Sequence, residues 1–329
     1  MAIGQQQLET PIGKGTERRA TTSAPRMSAR DWLLLGLLSL IWGGSFFFAK
    51  VAVEDIGPLT VVLGRVSIAA VILNLLVVSR GLTMPRRLAG WTPFIVMGVL
   101  NSIIPYSLIF WGEIHIASGL AAILNATTPL FTMLVAHVAT TDERLTPARV
   151  GGVVIGLLGV VAIMGGDLLQ ITSSNGLAQL AVLAASLSYG ISGVYGRRLK
   201  GTPPMISAGA QMTAATVMLA PIALLVERPW ATTTPELDSV ASVLALAILS
   251  TAIAYLIFFR ILASAGASNV SLVTLLVPVS SLTLGALFLD ESFVLAQLGG
   301  MALIAAGLLL IDGRVLHRFR QSRPAIAPS

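Results

Sequence analysis

Long apolar runs, interrupted at short intervals by Gly, Pro, Ser and Arg, fill the chain from about residue 32 to residue 312. A transmembrane helix needs roughly 20 mainly apolar residues. Ten runs meet that length: 32–53, 58–79, 89–111, 115–138, 147–165, 176–196, 203–226, 239–260, 266–289 and 294–312. The connections are short, so no water-soluble domain fits between the spans. Residues 1–31 are polar and read as a disordered cytoplasmic arm; residues 314–329 read as a basic cytoplasmic tail. Arg18-Arg19 is not read as an export signal, because the first apolar stretch starts only at Trp32 and runs straight into a full span.

Composition agrees with that pattern. Hydrophobic types make up 55% of the 329 residues and charged types 11%, with mean hydropathy +0.86. A soluble globular protein carries about 25% charged residues, so an ordinary cytosolic enzyme and a disordered chain are both excluded. There is no Cys, which removes disulfides, thiolate nucleophiles and cysteine-ligated metals. The three His, at 115, 137 and 317, are too far apart for a metal-binding helix motif, and no cofactor is expected. The net charge of +6 does not point to nucleic acid. Eighteen of the 21 Lys and Arg fall on one side if there are ten spans with both termini in the cytoplasm; only Lys50 and Arg228 fall on the other.

The chain repeats itself. Trp42-Gly43 and Ser45 match Tyr189-Gly190 and Ser192. Pro58 and Arg65 match Pro204 and Gln211. Tyr106 and Phe110 match Tyr255 and Phe259, and Pro129 matches Pro278. Asp142-Glu143 matches Asp290-Glu291, and Gly151-Gly152 matches Gly299-Gly300. The offset stays between 146 and 149 throughout. Five spans is an odd number, so the second copy enters the membrane upside down. The expected fold is an all-α integral membrane protein of ten transmembrane helices, arranged as two inverted five-helix repeats over 32–166 and 175–313. Such architectures place a substrate site near the midplane between the halves.

Polar side chains inside spans are costly and turn toward the bundle interior. In the fourth span Ser118, Asn125, Thr128 and Thr132 fall within roughly an 80° arc at helical spacing. In the ninth span Ser271, Thr274, Pro278 and Ser281 do the same. Two such stripes suggest a wet cavity, although interhelical hydrogen bonds use the same residue types. Trp42, Tyr106, Tyr189 and Tyr255 lie deep in their spans and are candidate wall residues, with Asn101 and Ser250 beside them. Trp91, Trp111 and Trp230 lie near span ends and fit the interfacial belt. Arg65 is the one strong charge well inside a span, about 10 Å beyond Pro58 at 1.5 Å per residue. It reads either as the partner of a substrate carboxylate or as a structural arginine that caps carbonyls or snorkels outward. Its uncharged repeat partner, Gln211, tips the balance toward the structural role. Pro105, Pro129 and Pro278 sit inside spans and are candidate hinges or static bends. The fifth and tenth spans carry no polar side chain over 150–166 and 298–311. They are expected at the periphery, facing lipid or a second copy, and are the candidate homodimer face. Asp142-Glu143 and Asp290-Glu291 precede them and suit a capping role at those two helix starts.

No G-x-x-x-x-G-K-[ST] is present, so the chain brings no ATPase of its own. Every Asp and Glu lies in a tail, a loop or a span end; Glu113 and His115, near the outer surface, are the best titratable pair. This favours facilitated diffusion over tight ion coupling. An intramembrane enzyme needs a nucleophile with a base or a metal site on facing helices, and no HExxH or GxSxG occurs. A channel needs a charged ring or filter loop, and none is visible.

The organisation resembles the EamA-type transporters of the drug/metabolite transporter superfamily over about residues 32–313. The resemblance rests on Trp42-Gly43, the Pro58-to-Arg65 spacing, Pro129 followed by Asp142-Glu143-Arg144-Leu145-Thr146, Pro278 followed by Asp290-Glu291, and Gly299-Gly300 with Gly307. It implies a ten-helix carrier of small metabolites, often amino acids, in the cytoplasmic (inner) membrane. A polar, uncharged, aromatic-lined cavity suits zwitterionic or amphipathic solutes. The reading is therefore a secondary carrier for amino acids, aromatic ones included, working by alternating access. Export follows from the resemblance alone. The alternatives are a carrier for nucleobases, sugars or drug-like solutes, a non-transporting scaffold, and an intramembrane enzyme. The expected partners are the lipid bilayer and a small-molecule substrate.

Overall fold

In lipid no water is available to the backbone, and a helix satisfies its own N–H and C=O groups within one segment. The computed structural model describes residues 27–140, 146–165, 172–231 and 233–312, and all ten apolar runs fall on helix. Among the described residues eight helices are long and apolar enough to cross a membrane: α1 (Ala29–Asp55), α2 (Pro58–Ser79), α3 (Leu88–His115), α4 (Ser118–Ala139), α5 (Pro147–Met164), α6 (Ser174–Leu199), α7 (Pro204–Ala231) and α8 (Leu237–Ala265). Two shorter apolar helices follow, α9 (Val273–Phe288) and α10 (Leu295–Asp312). No strand occurs among the described residues. Residues 1–26, the Asp142-Glu143 pair and the tail from 313 lie outside them.

Local chemistry sets the helix starts. Ser28 and Asp31 cap α1 reciprocally, each backbone N–H donating to the other's side chain. Pro58, Pro147 and Pro204 open α2, α5 and α7, where a missing N–H costs nothing.

The two ends of the bundle are tied by carboxylates. At one end Ser264 Oγ donates to Asp31 Oδ1 at 2.6 Å, joining the end of α8 to the start of α1. At the other, Ser239 Oγ donates to Asp55 Oδ2 at 2.7 Å, joining the start of α8 to the end of α1. There too Glu227, at the end of α7, accepts from Leu59 N, Thr60 N and Thr60 Oγ1 at 2.9, 2.7 and 2.7 Å and caps α2. Glu291 does the same for α4, accepting from Ser118 N at 2.7 Å and Gly119 N at 3.2 Å. This corrects the role expected of Asp290-Glu291. The pair serves the start of α4 rather than that of α10, where Val294 N donates to Gln297 Oε1 instead. Asp290 takes a φ of 51°, which ends α9 and turns Glu291 toward α4. A carboxylate suits a helix N-terminus because it meets unsatisfied N–H groups and the positive end of the dipole. Glu227→Ala should therefore lower stability by about 1–3 kcal/mol, read as a fall in the melting temperature of the detergent-solubilised protein. An unchanged melting temperature would remove the tie.

Small residues set which helices touch. A Cβ at Gly43 would lie 2.9 Å from Ser281 N on α9, so only glycine lets α1 approach there. Its repeat partner Gly190 brings α6 equally close to α4, 2.8 Å from Thr132 N. The first helix of each half thus packs on the fourth of the other. The helices α5 and α10 pack on each other, Gly152 against Gly307 O and Gly159 against Gly300 O, both at 2.6 Å from a built Cβ. They sit at the edge as expected, but their glycine faces are consumed inside the chain. Val154, Leu158 and Val161 point outward.

Candidate functional site

Both α3 and α8 lose α-helical register once. Val99–Ile103 and Ile248–Ile253 are π-helical turns, and they begin 149 residues apart. A π turn holds an extra residue and frees a carbonyl, and such turns are frequent at functional sites. In α8 the side chain of Thr251 donates to Leu246 O at 2.9 Å, entering the backbone ladder. In α3 the turn precedes Pro105, whose ring nitrogen cannot donate to Asn101 O. The two turns carry Asn101 with Ser102, and Ser250 with Thr251.

Arg65 sits between them. It is 4% exposed and turned into the bundle, not out to the interface. Its Nε donates to Thr251 Oγ1 at 2.9 Å, one terminal nitrogen to Ser45 Oγ at 3.1 Å, and the other reaches Ser250 O at 3.5 Å. The guanidinium carbon lies 3.9 Å from the centre of the Tyr106 ring, which shields the cation from hydrocarbon. Behind it Tyr106 stacks on Phe110 at 6.1 Å, just as Tyr255 stacks on Phe259 at 5.7 Å in the other half. No carboxylate touches Arg65 among the described residues. Three of its five N–H donors are used, one of them weakly, so two remain for another group. Outward snorkelling is thereby corrected: Arg65 turns inward, reaches one carbonyl at 3.5 Å and gives its shorter bonds to side chains at the centre.

Gln211 and Asn101 both donate to the Tyr255 hydroxyl, at 3.1 and 3.3 Å. Ser192 Oγ donates to Asn101 Oδ1 at 3.1 Å. Ser250 Oγ donates to Ile41 O at 3.2 Å, next to Trp42, whose ring meets Phe258 at 5.6 Å. Tyr189 lies within electrostatic reach of Tyr106, Tyr255 and Arg65. The structure therefore brings Trp42, Arg65, Asn101, Tyr106, Tyr189, Gln211, Ser250 and Tyr255 into one polar, ring-lined cluster fed by both halves. Within it Arg65, Tyr106, Gln211 and Ser250 are buried, and Trp42, Asn101, Tyr189 and Tyr255 are half-buried. Its polar groups meet one another by direct hydrogen bonds.

Asn125, Thr128 and Thr274 make no hydrogen bond to that cluster. Asn125 accepts from Ser186 of α6 at 3.4 Å. It ends the first half of α4, which breaks into Ser118–Asn125 and Thr128–Ala139. Pro129 supplies the reason. It has no N–H for Asn125 O, and Thr128 Oγ1 takes that carbonyl at 2.8 Å. Pro278 breaks nothing: it stands inside α9, and the interruption there falls earlier, at 271–272 after the turn Ala267–Val270. Thr274 bonds only its own Ser271 O.

Ser45, Ser192 and Thr251 were missed as site residues. Ser45 and Ser192 were visible as repeat partners, and each holds a polar group of the cluster. Thr251 had no signal beyond its neighbour Ser250, because the π turn that aims it inward is not written in the apolar pattern. Replacing Thr251 with Val should leave Arg65 Nε unpaired and remove the hydroxyl's bond to Leu246 O. It should cost about 1–3 kcal/mol, measured as reduced thermal stability at unchanged side-chain volume.

The profile of the EamA-like transporter family matches residues 31–165 and again 176–312. The chain belongs to the EamA-like transporter family. Like other EamA-like proteins it is a multi-pass membrane transporter, and its relatives bear transporter names. It is 29% identical to the uncharacterized transporter YoaV of Bacillus subtilis, over 84% of this chain and 96% of that one. It is also 29% identical to a probable terminal-alkyne amino-acid exporter of Streptantibioticus cattleyicolor, over 90% and 98%. The inner membrane transporter YedA of Escherichia coli is 27% identical over 88% and 92%. A solved crystal structure shares the fold at TM-score 0.62 and 21% identity, over 88% of this chain and 99% of that chain.

Proposed function

We propose that this EamA-like transporter is a secondary carrier for amino acids, aromatic ones included, in the cytoplasmic membrane of a bacterium. One observation carries the substrate class: a buried guanidinium with donors to spare, stacked under Tyr106 and without a carboxylate of its own. A cation kept in a membrane bundle without a counter-charge suits a solute that brings one, and a fork of N–H donors matches a carboxylate. The surrounding rings offer apolar faces with polar tips. The likeness to an amino-acid exporter supports the same class and is the ground for an outward direction.

The carrier works by alternating access between two inverted five-helix halves, with both termini in the cytoplasm. The end tied by Asp55, Glu227 and Glu291 would then face outward. In the packed state these ties hold that end closed, and the substrate breaks the cluster's internal hydrogen bonds to enter.

The test is counterflow in proteoliposomes loaded with unlabelled amino acids, following entry of labelled Trp, Phe, Thr and Leu. Entry is expected for the wild type and should be lost in a Trp42→Ala, Asn101→Ala double variant. Folded protein that admits none of the four would reject amino acids as the substrate.

A further inference from the structure

Glu113 stands apart from the site. The sequence puts it near the outer surface, but it is fully buried, and neither carboxylate oxygen has a hydrogen-bond partner among the described residues. It lies on the same face of α3 as Tyr106 and Phe110, at spacings of seven and three residues. The nearest cation does not serve it. Lys50, from α1, gives its ammonium to the backbone carbonyls of Glu113 and Ile116 instead. Arg65 of α2 lies deeper and is occupied by Ser45, Thr251 and Tyr106. Glu291 is spent on Ser118 and Gly119 at the start of α4. On its own helix, His115 turns its ring to Trp111. The parts of α4 and α6 packed here bring no titratable group: Ser118–Asn125 has none, and α6 has none before Tyr189.

A bare carboxylate without a donor, away from water, is among the most costly arrangements a protein can hold. Something must neutralise it in the closed state. A metal ion would need oxygen ligands, yet the carbonyls at hand are taken by the Lys50 ammonium. We propose that Glu113 is a proton-binding site linked to the opening of this end of the carrier. The proton sits on the carboxyl while the end is shut. When the end opens, water reaches Glu113, the proton leaves, and the Lys50 ammonium is free to pair with the carboxylate. One proton is released per opening, so transport becomes sensitive to pH. The inference deepens the carrier reading and rests on it for the alternation of the two ends.

The chain has no Cys, so a single reporter thiol is unambiguous. Ile116→Cys places one at a position 5% exposed beside Glu113, and Leu88→Cys places one at a position 90% exposed at the other end. Maleimide labelling of both is followed from pH 6 to pH 9 in proteoliposomes. The Leu88→Cys rate corrects for the thiol's own ionisation. The corrected Ile116→Cys rate should rise with pH, by up to about tenfold per unit, the slope of one released proton. Glu113→Gln, which cannot ionise, should flatten that rise. A corrected rate independent of pH, or one that follows sodium at fixed pH, overturns the proposal, as does an unchanged rise in Glu113→Gln. If that variant does not fold, Glu113→Asp, which still ionises, should keep the rise and His115→Gln should leave it unchanged; loss of the rise in His115→Gln overturns the proposal. Failure of amino-acid counterflow with the pH-dependent rise intact would reject the substrate and leave the proton site standing.

Discussion

Replacing Arg65 with Gln is expected to weaken amino-acid exchange by about 10- to 100-fold in apparent affinity. A hydrogen bond to a charged group contributes about 1.5–3 kcal/mol, and each 1.4 kcal/mol is a factor of ten. The protein should stay folded, because the equivalent position in the second half already holds Gln211, and glutamine can still bond Ser45 or Thr251. Arg65→Lys keeps the charge but loses the planar fork and the stack on Tyr106, so it should fall between wild type and Gln. Counterflow at varied substrate concentration measures this. Wild-type concentration dependence in Arg65→Gln would return Arg65 to a structural role and leave the substrate carboxylate without a partner.

Gly159→Val is expected to produce the largest loss of stability. A Cβ there would meet Gly300 O at 2.6 Å and Ile304 N at 3.0 Å. Both are backbone atoms of α10, so no side-chain rotation relieves the clash and the two helices must part. Overpacking costs about 1–3 kcal/mol for modest insertions, and a branched side chain against backbone belongs at the top of that range or beyond. In lipid there is no hydrophobic force between helices to offset the loss, since close packing is what holds them. Thermal unfolding in detergent reads the effect. Gly299→Ala is the control: nothing lies within 4 Å of its Cβ, and alanine favours a helix by roughly 1 kcal/mol over glycine. A Gly159→Val protein as stable as Gly299→Ala would show that the contact contributes little.

Much of the candidate site was legible. Tyr106 and Tyr255, Asn101 and Ser250, Arg65 and Gln211 could be picked out because a duplicated chain marks its equivalent positions, and because polar side chains in apolar spans have few reasons to be there. What could not be read was their mutual contact. The balance tipped toward a structural Arg65 because its repeat partner Gln211 is uncharged; its actual partners lie 20 to 186 residues away, and no periodicity links them. Glu113 looked superficial because it is two residues from a helix end, and the packing of α1, α4 and α6 around that end buries it. The break in α4 was half visible in Pro129. The interruption before α9 was not, since Pro278 sits within intact helix and no proline marks residues 271–272.

The sequence by itself determined that the protein is a helical membrane protein, where its ten apolar runs lie, and which residues of the two halves correspond. Those properties follow from transfer energy and backbone satisfaction, which act along one segment at a time. Only the tertiary structure decided that α3 and α8 would each contain a π turn, that Glu227 and Glu291 would cap helices in the other half, and which polar residues would hydrogen-bond one another. Each of these depends on the approach of two backbones to within a few ångströms. That approach is set by glycines such as Gly43 and Gly190 meeting residues far away in the chain, and apolar patterning alone does not encode which helix they will meet.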